Sequence, residues 1–514
     1  PKPGIPVSHI AVATTSQLAA DAAEELAAVG GNAVDCALAA ALVTINTEPG
    51  VCALGGSAFI TIWRADAEPV TIDGNVAVPG AGLAPDQRGH GAVSVTVDYG
   101  GGITTLVGPG SIAVPGTLAA IEHAWKRYGS AAWADIFKPT IRACRDGFPL
   151  SAACRYYLGY SSDCIFNRSK DGFAALHHAD RTLLGTGERV IVPHLADSLA
   201  AIAEDGASVF YEGDIAAAIA AHCRDGNGML TAEDLRNYRA IERAPLVTDV
   251  GDWSIASNPP PAVGGSVLVA MLLACSDLAV DGWTSSALRQ LVESQRACLD
   301  FRKRNLDLAD DVAAEAARLI ESARSGRLLA RWTSASTVHT SVVDKEGTGC
   351  AITASSGYGS GEMPAGTGLW LNNCLGEIEL NRRGLDAAPP GSRLPSNMAP
   401  SVARRDGAVL AIGSPGADRI TTALQQFLIN YLLLDMSLKD AISHPRVHVD
   451  TSGDVVRLMA EPGLDLPPMD LPVKVFPGLV MYFGGVAAAV YDRTSGFEAA
   501  ADPRREGGVF VSGT

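Results

Sequence analysis

The chain has 514 residues, of which 47% are hydrophobic and only 6% aromatic, and its formal net charge is −16. A charge of that sign repels polyanions, which makes nucleic acid and anionic membrane surfaces poor partners. No run of 18 or more apolar residues occurs, so no membrane-crossing helix is expected.

From the N-terminus, residues 9–15 (HIAVATT) read as a strand. Residues 16–29 (SQLAADAAEELAAV) carry helical spacing, and Gly30-Gly31-Asn32 stops that helix, glycine being the residue that tolerates the C-cap backbone. Ala33–Val43 is apolar all round, the mark of a buried helix. A glycine-rich turn at Gly50–Ser57 leads into a strand, FITIWRAD. Residues 80–110 read as glycine-rich loop with strand fragments. Residues 114–235 are mainly helical, with Thr231 and Asp234 spaced as a capping box, and residues 284–330 are helical again.

The texture changes near residue 336. VHTSVVD, GCAITAS, GTGLWLNN, SVARRDGAVLAIG and VAAAVYD all read as strands, with one helix, ITTALQQFLINYLLL, among them. The chain is helix-rich in front and strand-rich behind.

Ten cysteines are present: Cys36, Cys52, Cys144, Cys154, Cys164, Cys223, Cys275, Cys298, Cys350 and Cys374. None forms a C-x-x-C pair, which disfavours a zinc ribbon or a dithiol redox site. Several sit in apolar runs and read as small buried residues. A reducing, cytoplasmic compartment is the expectation, and the opening PKPGIPVSHIAVATTSQ lacks the basic-then-apolar order of a signal peptide. The basic run Arg302-Lys303-Arg304 and the pair Arg404-Arg405 read as solvated faces. The adjacent His177-His178 reads as surface loop, and His444 and His448 as structural. No metal or cofactor is expected.

The segment STVHTSVVDKEGTGCAIT is, on composition, a strand, hairpin and strand. Alternation puts Val338, Thr340 and Val342 on one face and Thr337, His339 and Ser341 on the other. A threonine hydroxyl is a weak nucleophile unless a base lies beside it.

Ordered blocks along the chain resemble the gamma-glutamyltranspeptidase family. They are GGNAVDCALAAALVTINTEPGVCALGGSAFITIW, GSIAVPGTLAAIEHAWKRYG, FYEGDIAAAIAAH with TAEDLRNYRAIERAPL, PPPAVGGS, TVHTSVVD, GTGLWLNN, SNMAPS, AIGSPGADRI and SHPRVH. The resemblance implies an α+β fold, the four-layer αββα sandwich of N-terminal-nucleophile (Ntn) hydrolases. It also implies self-cleavage between Ser336 and Thr337, giving a large subunit of residues 1–336 and a small one of residues 337–514 that form one structural unit. Thr337 would then be nucleophile. Its freed α-amine, with a reference pKa of about 7.7–8.0, would serve as general base. His339 supports the nucleophile strand, Ser355 falls where the family tunes the nucleophile, and Gly416 with Ala417 stands where backbone amides hold the oxyanion. Ala417 replaces a glycine and must tolerate that backbone conformation. The partners implied are a small-molecule substrate and the two subunits of one precursor, with a further homo-oligomer compatible with the family.

The family's amino-acid clamp is eroded here. The arginine of its D-G-R-E-x-x-P block is Asn75 in D-G-N-V-A-V-P, and asparagine cannot make the bidentate, charge-assisted contact of a guanidinium. Gly357 stands where an asparagine is expected, Cys374 where a glutamine is, and Asn397 follows Ser396 in place of a second serine. Glu377, one methylene longer than the family's aspartate, is the acidic group left for a substrate amine. These departures resemble the actinobacterial members of 4-alkylproline biosynthesis (lincosamide and pyrrolobenzodiazepine pathways), for which hydrolytic C–C cleavage with transfer of an oxalyl-type group is implied. The alternatives are a γ-glutamyl hydrolase or transpeptidase whose clamp is rebuilt from Arg382, Arg383 or Arg393, and an inactive homologue kept as a binding protein.

Overall fold

The computed structural model describes residues 7–98, 102–276, 278, 282–325, 337–451 and 455–513. Ser336 lies outside them.

Two antiparallel sheets stack at the centre, and helices cover both outer faces. The first sheet has seven strands in the order Gly508–Val511, Ile10–Thr14, Val338–Asp344, Gly349–Ser355, Ser57–Trp63, Val70–Gly74 and Ile241–Arg243. The second has six: Gly496–Ala501, Ala487–Asp492, Ala408–Gly413, Ser401–Arg405, Trp253–Ser257 and Leu246–Val250. Small and β-branched residues, among them Ala11, Val343, Ala351, Val402, Val409 and Ala411, fill the layer between the sheets. This is the expected four-layer αββα sandwich.

The helix Ala33–Thr47 explains the alanine-rich composition. All its residues are buried, and it lies against the Val338–Asp344 and Gly349–Ser355 strands. Its start is fixed by Asn32, whose side chain accepts from Val34 and Asp35 amides, with Asp35 reaching back to the Asn32 amide. On the other side, the helices Gly264–Leu273 and Arg419–Leu428 cover the second sheet.

Several expectations need correction. GTGLWLNN is not a strand: residues 366–373 form a loop with a single bridge, Gly55 to Leu371. Gly366 and Gly368 take φ of +77° and +66°, and the Asn372 amide hydrogens go to the carbonyls of Gly55 and Ala113, so side chains replace the ladder. The front of the chain also supplies sheet strands that its helical texture hid, including Trp253–Ser257 at residues where no strand is expected. The helical stretch 284–330 is two helices, Ser285–Arg304 and Val312–Arg324, and residues 326–330 lie outside the described part. Arg302 is not solvated. It is 2% exposed and buried in an ion pair, while Lys303 is half-buried and Arg304 exposed. Nine of the ten cysteines are buried free thiols, and Cys164 is half-buried.

Candidate active site

The register of the first sheet brings four side chains into one row. Val338 pairs with Ala354, Ser355 with Ser57, and Ala58 with Gly74. One residue further along these ladders, Thr337 stands opposite Ser355, Ser355 opposite Ser57, and Ser57 opposite Asn75. All four line one small cavity, of about 20 Å³, together with Cys374, Glu377, Ser396, Asn397 and Ala417. Thr337 is 3% exposed.

Strand alternation aims Thr337 into the gap between the sheets. His339, on the same face, meets the second sheet at Gly413, where any Cβ would strike its ring. The His339 ring bridges Thr353 Oγ1 and Ser341 Oγ, each at 2.8 Å. Burial pushes its pKa down to about 3, so the ring is neutral at working pH. It ties neighbouring strands together and does not line the cavity. Ser57 donates to the Ser355 carbonyl at 3.0 Å, and the Ser355 hydroxyl accepts from the Gly357 amide at 3.2 Å.

The opposite wall comes from loops of the second sheet. The Ser396 carbonyl accepts from the amides of Val263 and Gly264 at 2.9 and 3.1 Å. A Cβ on Gly264 would collide with the Asn397 carbonyl, so the glycine pair of PPPAVGGS lets the Gly264–Leu273 helix abut this wall. Gly416 and Ala417 form the turn into the helix Arg419–Leu428, with φ of +123° and +66°. Ala417 therefore holds a left-handed backbone, a strain of about 1–2 kcal/mol for a residue with a Cβ. Among the described residues, neither amide donates to a backbone carbonyl. Asp418, next in line, accepts from Arg302 at 2.7 Å and from the Asn397 amide at 3.0 Å. Arg302 also donates to Asp307 at 3.0 Å. One buried guanidinium thus fastens the turn to the wall.

The floor is acidic. Glu377 is 4% exposed, and burial, then the charge of Glu379, push its pKa well up. Glu379 is raised to about 7, chiefly by burial, and accepts from the Tyr358 hydroxyl at 2.5 Å. Gly357, at φ +64°, has no room for a side chain: Asn373 and Glu377 occupy the space where its Cβ would lie. Cys374 is a buried thiol beside Glu377. Asn75 is spent on structure, its amide donating to the Leu394 carbonyl at 2.6 Å.

Beyond the cavity lies an open cleft of about 700 Å³, and the two share Leu380 and Pro395. Arg382, Arg383 and Arg393 line this cleft, and none of them lines the Thr337 cavity. Arg383 pairs with Asp310 at 2.6 Å, and Arg393 packs over the Tyr238 ring at 4.3 Å.

Of the site residues expected from sequence, Thr337, Ser355, Ala417, Asn75, Glu377, Ser396, Asn397 and Cys374 meet at the cavity, with Gly357 and Gly416 immediately behind. Sequence reasoning missed Ser57, Val76, Leu380, Pro395 and Met398 as lining residues. Ser57 was recoverable from the strand pairing; the others sit on loops with no local signal.

Comparison with known proteins gives a family and a fold. The family profile described as Gamma-glutamyltranspeptidase matches residues 19–512. The Glutathione hydrolase proenzyme of Escherichia coli (strain K12) is 29% identical over 486 residues, spanning 87% of this chain and 81% of that protein. The cephalosporin acylase structure from Bacillus halodurans superposes with a TM-score of 0.77 at 22% identity, covering 98% of this chain and 96% of that one. The structure of LmbA2991HD gives a TM-score of 0.77 at 22% identity, covering 99% of both chains. Among the described residues, no helix is long and apolar enough to cross a membrane.

Proposed function

The chain belongs to the gamma-glutamyltranspeptidase family of Ntn hydrolases, and we propose on that premise that it matures by cleavage between Ser336 and Thr337. Residues 1–336 become the large subunit and residues 337–514 the small one, with strands of both in each sheet. Thr337 Oγ is the nucleophile and its freed α-amine the base, which needs no histidine; the neutral, tied-down His339 is consistent with that division of labour. Ser355 supports the hydroxyl. The Gly416 and Ala417 amides, at the N-terminus of the Arg419–Leu428 helix, meet the oxyanion. Cys374, Glu377, Ser396, Asn397 and Asn75 shape the acyl pocket, with Gly357 giving Glu377 its room.

The substrate is not a γ-glutamyl compound. The observation that carries this is the cation-free lining of the cavity: Asn75 is bound to a backbone carbonyl, and no arginine or lysine is among the described lining residues. The acyl group is held beside Thr337, and the larger leaving portion lies in the cleft beyond Leu380 and Pro395. We read the reaction as hydrolytic C–C cleavage in 4-alkylproline-type biosynthesis. Thr337 attacks a ketone, an oxalyl-type group passes to its oxygen, and water releases the acid. The leaving carbanion must be conjugated, since an isolated one is too basic to expel. The rival reading, a γ-glutamyl hydrolase or transpeptidase with a rebuilt clamp, draws on the arginines of the neighbouring cleft.

Two substrates separate them. A 2,4-diketo acid such as 2,4-dioxopentanoate presents an oxalyl group on an enolate leaving group, and the mature protein is expected to release oxalate and acetone from it. Turnover of γ-glutamyl-p-nitroanilide with no attack on the diketo acid would establish the rival.

A further inference from the structure

C–C cleavage, like amide hydrolysis, must deliver one proton to its leaving group. In an Ntn site the α-amine takes the proton of the attacking hydroxyl and can return it to a leaving nitrogen. A leaving carbon has no lone pair to take that proton before the bond breaks, so a second donor beside the scissile bond favours its departure.

The Thr337 cavity contains one candidate. Glu377 lines it together with Thr337 and Ser355. It also sits at the junction with the cleft: the Leu380 amide donates to the Glu377 carbonyl at 2.9 Å, and Leu380 is shared by cavity and cleft. The surroundings keep this carboxyl in its acid form. It is almost fully buried, and the groups acting on it are the neighbouring carboxyl of Glu379 and the thiol of Cys374, with no cation among them. Glu379 is satisfied separately by the Tyr358 hydroxyl and feels Arg302 and Asp418 from the oxyanion side. Tyr358 and Cys374 are themselves buried with raised pKa, so both stay neutral and add no charge beside it. Two carboxyls two residues apart in low dielectric do not both ionise, and the one facing the cavity retains its proton. Gly357 is the local adaptation, because the Oε1 of Glu377 lies 2.9 Å from where a Cβ at that position would be.

We propose that Glu377 is the general acid of this site, delivering its carboxyl proton to the leaving carbon as the bond to the acyl group breaks. The proposal rests on the C–C cleavage reading above. In the first half-reaction the Thr337 hydroxyl proton goes to its amine, Oγ–C forms, C–C breaks, and the Glu377 proton caps the released carbon. In the second, water adds to the ester carbonyl, its proton restores Glu377, Oγ–C breaks, and the ammonium returns its proton to Oγ. The sum is ketone plus water to carboxylic acid plus the protonated leaving group, with no other reagent.

The test compares wild type with Glu377→Gln, each first shown by mass to have matured. The probes are aryl monoesters of oxalic acid with phenols of increasing basicity, and 2,4-dioxopentanoate. The wild-type to variant rate ratio is expected to climb with leaving-group basicity and to reach about 100-fold or more on the diketo acid, the range of a lost general acid. The same constant ratio across all the probes would assign Glu377 a structural role and overturn the proposal. Ester hydrolysis by wild type with no attack on the diketo acid would instead overturn the C–C reading on which it rests. An infrared difference spectrum at pH 7 gives a check independent of turnover. Loss of a protonated carboxyl band in Glu377→Gln is expected, and loss of a carboxylate band would overturn the proposal.

Discussion

The two walls of the cavity are built on different principles. On one side, Thr337, Ser355, Ser57 and Asn75 stand on adjacent strand ends, placed by antiparallel register and supported by a fully buried helix. On the other, Ser396, Asn397 and the Gly416–Ala417 turn stand on loops, fastened by a buried Arg302–Asp418 pair and strained at one alanine. The first wall holds the chemistry we propose to be retained. The second, with Asn75 and the Glu377 floor, is where recognition has changed. A regular ladder fixes position through many weak, redundant bonds, whereas a loop wall depends on a few strong ones.

That contrast is open to attack by substitution. Arg302→Met should have the largest effect, because it leaves Asp307 and Asp418 buried without their cation. A loss of about 3–5 kcal/mol in unfolding free energy is expected by denaturant titration. A loss below about 1 kcal/mol, the scale of an exposed pair, would mean the loop wall does not hang on this pair. Next is Ala417→Pro, which removes one proposed oxyanion donor and demands φ near −65° where the chain has +66°. Turnover should fall by about 10²–10³, measured as kcat on any substrate the enzyme accepts.

The strand wall yields a pH effect. An unfolded imidazole binds its proton near pH 6.5 and His339 in place only near 3. Between those values the unfolded chain carries more protons, so stability drops as pH falls below about 6.5. By pH 5 this group alone removes about 2 kcal/mol. Urea titrations at pH 7 and 5 on wild type and His339→Gln should show the slope shrinking in the variant. An unchanged slope would place the acid sensitivity elsewhere. The smallest effect is Ala417→Gly, which relieves the left-handed strain and should stabilise the fold by up to about 1 kcal/mol in a thermal scan.

The same contrast explains what was legible in the sequence. Thr337 and Ser355 could be found only through the resemblance of TVHTSVVD and the blocks around it to the family, since composition and alternation alone read as a strand, a hairpin and a strand. The alanine-rich helix after Asn32 was legible from its uniform apolarity. Arg302 was not, because its run of three cations looks the same whether solvated or buried, and its partner Asp418 is 116 residues away. The 366–373 loop carried a strand's composition, but its two asparagines hydrogen-bond backbone that only the folded chain brings near. Trp253–Ser257 is a different case: it pairs with Leu246–Val250 across the two-residue turn Gly251-Asp252, a local hairpin, and only its other neighbour, Ser401–Arg405, lies far along the chain. The erosion around Asn75 and Glu377 was visible as altered letters, whereas its physical meaning, a buried acid in a cavity without cations, required the fold.

Everything proposed for the strand wall depends on Thr337 having a free amine. Intact-mass spectrometry of freshly purified wild type beside Thr337→Ala tests that directly. The wild type should resolve into two chains divided between Ser336 and Thr337, and the variant should remain whole. A wild type that stays uncut, or a variant that still cleaves there, would contradict the assignment of Thr337 as nucleophile and base.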